Sequence, residues 1–349
     1  MTRREIFAAL TAALTKGKLG AAEKILNDGA RQAKPRSAVL AVQEGGFHYL
    51  QAFGEAQPDS LFLIASITKP MTAAGVMWLE ERGKLRLTDS ASQYLPEFRG
   101  GGRETMTIGQ MLSHTCGLPD MLPENTALRQ RQAPLDEYVR LALRTPLLFA
   151  PGTEWRYSST GILLASEIAR RVDGRPIAQL LREEIYQPWG MNHAVLGLPP
   201  RAWVPSQTEY APTDLGNSAD AKLWDWNSPY WRGLGAPWGG AHSTASDVMR
   251  FLNAFLNQED GPLKPSTRAR MIENQNAAGL APYGIGFGLG SRLGSGLPNR
   301  VFGHGGSTGT LCWADPARKR AFVLLTSMPL VASGKTVIQP ASQAVFSAS

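Results

Sequence analysis

Apolar positions along the chain change period several times, and each change marks an element. Ile6, Leu10, Leu14 and Leu19 fall on one face of a helical projection, which predicts a helix over residues 4–28 that ends near Asp28-Gly29. Residues 37–42 (SAVLAV) and 47–53 are β-rich runs on either side of Glu44-Gly45-Gly46 and predict a hairpin. A short apolar run at 61–64 leads to Ser66. Met71, Val76, Trp78 and Leu79 then give helical periodicity over 71–82, with Gly83 as the stop. From about 85 to 240 short helical pieces (108–114, 135–143, 161–172, 177–185) alternate with Pro- and Gly-rich loops, and few strands are evident. Ser243 and Thr244 can cap a helix running to about Asn257, with Asp247 favouring its first turn. Strand patterns return at 284–289, 300–303, 310–313 and 321–326, and the tail after Pro340 reads as a short helix.

Strands at both ends and helices between them predict an α+β fold. The expectation is an antiparallel sheet built from the terminal segments, flanked by helices, with an inserted helical lobe. The sheet lobe would be discontinuous, 1–84 and 240–349, and the mainly helical lobe would span 85–239. A site is expected in the cleft between them.

Composition narrows the class. The chain has 349 residues, 43% hydrophobic and 19% charged, as in a globular enzyme and unlike a disordered chain. No stretch approaches the ~20 apolar residues that span a bilayer, so no integral membrane segment is expected. The net charge of +7 is dispersed and never alternates with aromatics, so nucleic acid is not an expected partner. Cys116 and Cys312 match no zinc spacing and read as buried thiols. Lys16 and Lys18 interrupt the apolar start and no small-x-small cleavage site follows closely. Cytoplasmic residence is therefore expected, with the periplasm as the alternative.

Three segments carry candidate chemistry. Ser66-Ile67-Thr68-Lys69 follows an extended run and opens a helix, so the Lys69 amine would lie beside the Ser66 hydroxyl one turn away. A desolvated lysine can act as the base that a serine nucleophile needs. Alone, an S-x-x-K arises about once by chance in a chain of this size, and a capping serine with a solvated lysine is the plain alternative. Tyr157-Ser158-Ser159 sits between a turn and a helix. A neighbouring ammonium would lower the Tyr157 pKa and make it a proton shuttle. Gly303-His304-Gly305-Gly306-Ser307 ends a predicted strand, where the Ser307 N–H could join the Ser66 N–H in holding an oxyanion.

In this order the three segments resemble the serine β-lactamase and penicillin-binding-protein superfamily. The likeness is greatest to the class C β-lactamase-related branch that holds family VIII carboxylesterases and D-alanyl-D-alanine peptidases. Supporting segments are IASITKPMTA at 64–73, MLSHTCGLPD at 111–120, PGTEWRYSSTG at 151–161, GGAHSTASDVMRFL at 239–252, YGIGFGLG at 283–290 and FGHGGSTGT at 302–310. The resemblance covers roughly residues 37–328. It implies Ser66 as the acylated nucleophile, Lys69 and Tyr157 as a coupled general base, Ser159, His304, Gly305 and Gly306 as substrate-binding positions, and neither a metal nor an organic cofactor.

Two departures shape the expected activity. Ser159 stands where the family commonly has asparagine, and His304 stands where true β-lactamases commonly have a lysine that favours a substrate carboxylate. Both weaken a β-lactamase reading, whereas an esterase survives them. Carboxylic ester hydrolysis is the expected function. A β-lactamase or D-amino-acid peptidase acting on amides is the alternative, and a non-catalytic binding protein of the same fold is the reading from another class. The expected partner is a small-molecule ester, with a β-lactam still open.

Gly305-Gly306-Ser307-Thr308-Gly309 also spells the G-x-S-x-G of a nucleophile elbow. That motif requires a following helix and a later histidine, and the five histidines (48, 114, 193, 242, 304) all precede Ser307. His114 and His242 read as structural. Five of nine tryptophans fall between 203 and 238, and Trp224, Trp226 or Trp231 is the candidate lining of an acyl or alcohol pocket.

Overall fold

The computed structural model describes residues 14–198, 213, 225–257 and 260–348. Among these residues nine strands form two sheets. In chain order they are β1 (Ser37–Glu44), β2 (Phe47–Gly54), β3 (Phe62–Leu63), β4 (Val195–Leu196), β5 (Ala241–Ser243), β6 (Gly288–Leu289), β7 (Phe302–Gly306), β8 (Thr310–Asp315) and β9 (Arg320–Thr326). The larger sheet is antiparallel with order β2-β1-β9-β8-β7-β6, so the first hairpin and the C-terminal meander are joined where β1 pairs with β9. The smaller sheet, β3-β5-β4, has no counterpart in the sequence reading; its strands have only two or three residues, too short for a period to register.

Strand β9 is buried along its whole length, which a strand covered on both faces requires. Its alternation sorts side chains into two cores. Val39, Ala41, Val323 and Leu325 face the main core with the helices Thr68–Glu81 and Ala245–Leu256. Ala38, Leu40, Val42, Phe322 and Leu324 face the other side, against Ala22 and Leu26 of Gly20–Arg31 and Ala341 and Val345 of Gln339–Ser347. Each valine, leucine or phenylalanine among them taken from water contributes roughly 1.5–3 kcal/mol before entropy is counted, and each alanine less. The terminal helices thus close the back of the sheet, and the Trp313 Nε1–H donates to Ser342 Oγ at 2.8 Å to fix one of them.

Most predicted elements form, with shifted ends. The N-terminal helix is described only from its later part, as a 3₁₀ turn Lys16–Leu19 followed by Gly20–Arg31. The helix predicted at 71–82 runs Thr68–Glu81, and every residue from Thr68 to Leu79 is buried, so it is central rather than amphipathic. Thr244 caps Ala245–Leu256 by accepting from Asp247 N at 3.2 Å. The predicted strand 284–289 shrinks to Gly288–Leu289, because Gly286 takes a left-handed φ of 77° to pass close to the helix backbone at Lys69 and Pro70.

Candidate active site

Ser66 sits at the junction of β3 and the central helix, on a single 3₁₀ turn, Ala65–Ile67. The preceding residue, Ala65, has φ 46°, a left-handed conformation that costs a non-glycine residue free energy and persists only where its surroundings enforce it. Here threonine hydroxyls enforce it. Thr308 Oγ1 donates to Leu63 O at 2.6 Å, Thr310 Oγ1 to Ile64 O at 3.0 Å, and Thr68 Oγ1 to Ala65 O at 2.6 Å. Strand β7 lies against this turn, and only glycine fits at 306: a Cβ there would stand 2.5 Å from Ile64 O and 3.1 Å from Ala65 Cβ.

One turn on, the Lys69 ammonium is fully buried. Nζ lies 3.0 Å from Ser66 Oγ and donates to the Trp238 carbonyl at 2.8 Å. Burial lowers its pKa from 10.5 to about 7, against an opposing pull from the Asp120 charge. Near neutrality the amine is therefore partly uncharged and can take the proton of the hydroxyl it touches.

Tyr157 arrives from the other side. Ser158 N donates to His114 Nδ1 at 3.2 Å, and the Tyr157 and His114 rings meet at 4.5 Å between centroids. Lys69 Nζ is 4.7 Å from the centre of the Tyr157 ring. The sequence expectation that an ammonium would lower the Tyr157 pKa is corrected. Burial pushes the phenol well above its ordinary value, and a hydrogen bond with Ser66 opposes this only in part. The same burial that raises the phenol discharges the ammonium that was to lower it.

His304 also departs from expectation. Its Nδ1 lies 2.7 Å from the Gly305 carbonyl, which can only accept, so Nδ1 carries the proton and Nε2 a lone pair. That lone pair receives the Tyr283 hydroxyl at 2.9 Å and faces the Tyr157 hydroxyl at 3.5 Å. Burial holds the imidazole pKa down to about 3. His304 is thus a neutral, buried neighbour of Tyr157 and not an open substrate contact. Tyr283, one residue before the strand expected at 284–289, is a site residue that the sequence reading did not single out.

Ser159 is likewise committed within the protein. It is buried, its Oγ donates to Asp120 Oδ1 at 2.6 Å, and its N–H donates to the same oxygen at 3.0 Å. Asp120, the last residue of the family-like segment 111–120, is the second site residue that sequence reasoning did not single out. The tryptophans need correction too. Trp231 is a core residue beneath the Arg129 guanidinium, 4.2 Å from its ring centre, and Trp226 packs partly buried on the main core. Trp224 lies outside the described residues. The tryptophan at the site is Trp238. Through its carbonyl it holds Lys69, and it lines a slot with Asp120, Met121, Leu122, Asn125, Tyr138 and Ser159.

Ser307 follows β7 in the turn that leads straight into antiparallel β8, where Gly306 pairs with Thr310. No helix follows, so the nucleophile-elbow reading fails on structure as well as on chain order. The Ser307 carbonyl accepts from Leu330 N at 2.8 Å. Gly306 lies between Ser307 and the contact with Ala65, which brings this turn beside Ser66. His242 is buried in β5 opposite Leu63, in the sheet behind the site. Cys116 and Cys312 are both buried free thiols, and burial raises both pKa values, Cys312 to about 12. Among the described residues no group of His, Cys, Asp and Glu could hold a metal ion, and no helix is long and apolar enough to cross a membrane.

An antiparallel sheet with flanking helices, with a serine and a buried lysine on one turn of a central helix, defines the class as a serine hydrolase of the β-lactamase and penicillin-binding-protein fold. The chain belongs to the Beta-lactamase family, which matches residues 16–334. It is 30% identical over 290 residues to Esterase EstB of Burkholderia gladioli, covering 73% of this chain and 74% of that protein. A family VIII carboxylesterase structure superposes with a TM-score of 0.74 at 21% identity, covering 95% of this chain and 99% of the other. D-amino acid amidase from Ochrobactrum anthropi SV3, in complex with L-phenylalanine amide, gives 0.75 at 22% identity with the same coverage. At these identities the two structures speak for the fold.

Proposed function

We propose that the protein hydrolyses carboxylic esters through an acyl-enzyme on Ser66. The observation that carries this reading is the fully buried Lys69 amine 3.0 Å from Ser66 Oγ, with a pKa near 7. Ser66 and Lys69 come from the sheet lobe (1–84 and 240–349) and Tyr157 from the helical lobe (85–239), so the reaction runs in the cleft between them. Lys69 and Tyr157 act as a coupled base. The uncharged amine takes the Ser66 proton, and the phenol, protonated at neutral pH, relays it to the leaving alcohol. Ser66 Oγ bonds to the ester carbonyl carbon, and the backbone N–H groups of Ser66 and Ser307 hold the tetrahedral oxyanion. The C–O bond to the alcohol breaks, and water then releases the acid by the reverse proton path.

The neutral His304 supports esters over β-lactams. The position offers no cation to a substrate carboxylate, and its Nε2 is already taken by Tyr283. The similarity to Esterase EstB supports the same choice. Amide hydrolysis is the second reading, favoured by the fold shared with D-amino acid amidase. The test is hydrolysis of p-nitrophenyl butyrate by wild type, Ser66→Ala and Ser307→Ala, with a chromogenic cephalosporin in parallel. Loss of ester turnover in Ser66→Ala, with turnover persisting in Ser307→Ala, is expected. Efficient cephalosporin turnover with little ester activity would move the function to β-lactam hydrolysis.

A further inference from the structure

The aromatic cluster behind Tyr157 contains a hydroxyl that the proposed reaction does not use. Tyr283 is buried, with its ring set between His114 at 4.6 Å and Trp155 at 5.8 Å between centroids. Its backbone is pinned as well: Tyr283 N donates to Asn274 Oδ1 at 3.1 Å, and the Tyr283 carbonyl accepts from Gln275 N at 2.8 Å. Burial pushes this phenol well above its ordinary pKa, so near neutrality it remains a hydrogen-bond donor.

That donor meets a single acceptor. A neutral imidazole has one lone pair, and with Nδ1–H given to the Gly305 carbonyl at 2.7 Å it lies on His304 Nε2. Two phenols face it, Tyr283 at 2.9 Å and Tyr157 at 3.5 Å. The first distance is that of a hydrogen bond and the second is at the limit of one, so Tyr283 holds the lone pair. The Tyr157 hydroxyl keeps its bond with Ser66. Without the Tyr283 hydroxyl the buried nitrogen would lack a donor, which is costly. Closing the gap from 3.5 to 2.9 Å would put Tyr157 onto it instead.

We propose that Tyr283 is a positioning residue: by occupying His304 Nε2 it keeps the Tyr157 hydroxyl turned toward Ser66 and the leaving oxygen. It acts through His304, and its consequence for turnover rests on the Ser66 hydrolase reading. As the C–O bond of the tetrahedral intermediate breaks, the Tyr157 proton passes to the departing alkoxide and the Lys69 ammonium returns one to the phenolate. A phenol drawn onto His304 is badly placed to give that proton. The loss falls on alcohols that cannot leave as anions and spares p-nitrophenol, whose anion is stable near neutrality.

The experiment compares kcat/KM at pH 7 for ethyl butyrate and p-nitrophenyl butyrate in wild type, Tyr283→Phe and Ser66→Ala. The two esters share an acyl group and differ in the leaving alcohol. Wild type is expected to hydrolyse both. Tyr283→Phe should lower kcat/KM for ethyl butyrate about tenfold or more and leave p-nitrophenyl butyrate within about threefold of wild type. Damage to the fold would lower both alike. Equal losses, an ethyl butyrate rate that Tyr283→Phe leaves unchanged, or a wild type that cleaves only the p-nitrophenyl ester overturns the proposal. A second readout uses wild type with isotope-labelled histidine. A long-range proton–nitrogen correlation spectrum should show His304, assigned by its loss in His304→Gln, with its proton on Nδ1 and a hydrogen-bonded Nε2. A proton on Nε2 overturns the proposal. Turnover of both esters undiminished in Ser66→Ala overturns the hydrolase reading, and the histidine spectrum is read independently of it.

Discussion

The buried amine makes a quantitative demand on the pH dependence of the reaction. Lys69 must be uncharged to accept the Ser66 proton, and burial moves its pKa from 10.5 to about 7. With a midpoint near 7 the uncharged fraction is roughly 0.1 at pH 6 and 0.9 at pH 8. Acylation should therefore rise about tenfold over that interval and level off above it. A solvated lysine would give roughly a hundredfold rise over the same interval and a further tenfold per pH unit beyond. The assay is kcat/KM for p-nitrophenyl butyrate from pH 5.5 to 9.5, with spontaneous hydrolysis subtracted. Because Lys69 and Tyr157 interact, the midpoint belongs to the pair. Asp120→Asn removes a charge that holds the Lys69 proton on, so the midpoint should move to lower pH. A rate that falls from pH 6 to 9 with the protein still folded, or climbs tenfold per unit through pH 9, would refute the base assignment.

The same burial links catalysis to stability. A displacement from 10.5 to about 7 corresponds to on the order of 5 kcal/mol against the charged form in the folded chain. The unfolded chain binds this proton more tightly, so the Lys69 contribution to stability rises with pH from about 7 to 10.5, and the penalty is fully present below 7. Lys69→Met should abolish measurable ester turnover while raising the thermal midpoint at pH 6; a lowered midpoint would contradict the burial argument. Gly306→Ala places a methyl group against the Ile64 carbonyl and should cost about 1–3 kcal/mol in urea unfolding as well as most of the activity. At Gly305 a Cβ would have only atoms 3.8 Å away, so Gly305→Ala should cost clearly less stability. Equal losses at the two positions would show that the β7 contact with the Ser66 turn does not set the site.

The sheet was legible because its strands lie at the two ends of the chain and carry strong β patterns, as in Val39–Val42 and Phe322–Leu325. The central helix was legible as a helix, though its burial on all sides is a tertiary fact that no periodicity carries. Ser66, Lys69 and Tyr157 were readable from motif order. The groups that tune them were not, for physical reasons. The Trp238 group that binds Lys69 is a backbone carbonyl, which the sequence does not distinguish. Asp120 and Tyr283 stand in the segments 111–120 and 283–290, and only the fold brings them onto Ser159 and His304. The direction of the Tyr157 shift depended on burial against charge, and only the structure weighs those two. Trp231 illustrates the converse: a tryptophan near the site in sequence that the core and Arg129 claim.

The central claim is a covalent bond between substrate acyl group and Ser66 Oγ. Acid quench of the protein during turnover of p-nitrophenyl butyrate, followed by proteolysis and peptide mass analysis, tests it directly. The predicted result is the mass of one butyryl group on the peptide holding Ser66, absent from Ser66→Ala. Butyryl on Ser307 or Cys116 instead, or turnover undiminished in Ser66→Ala, would contradict the account.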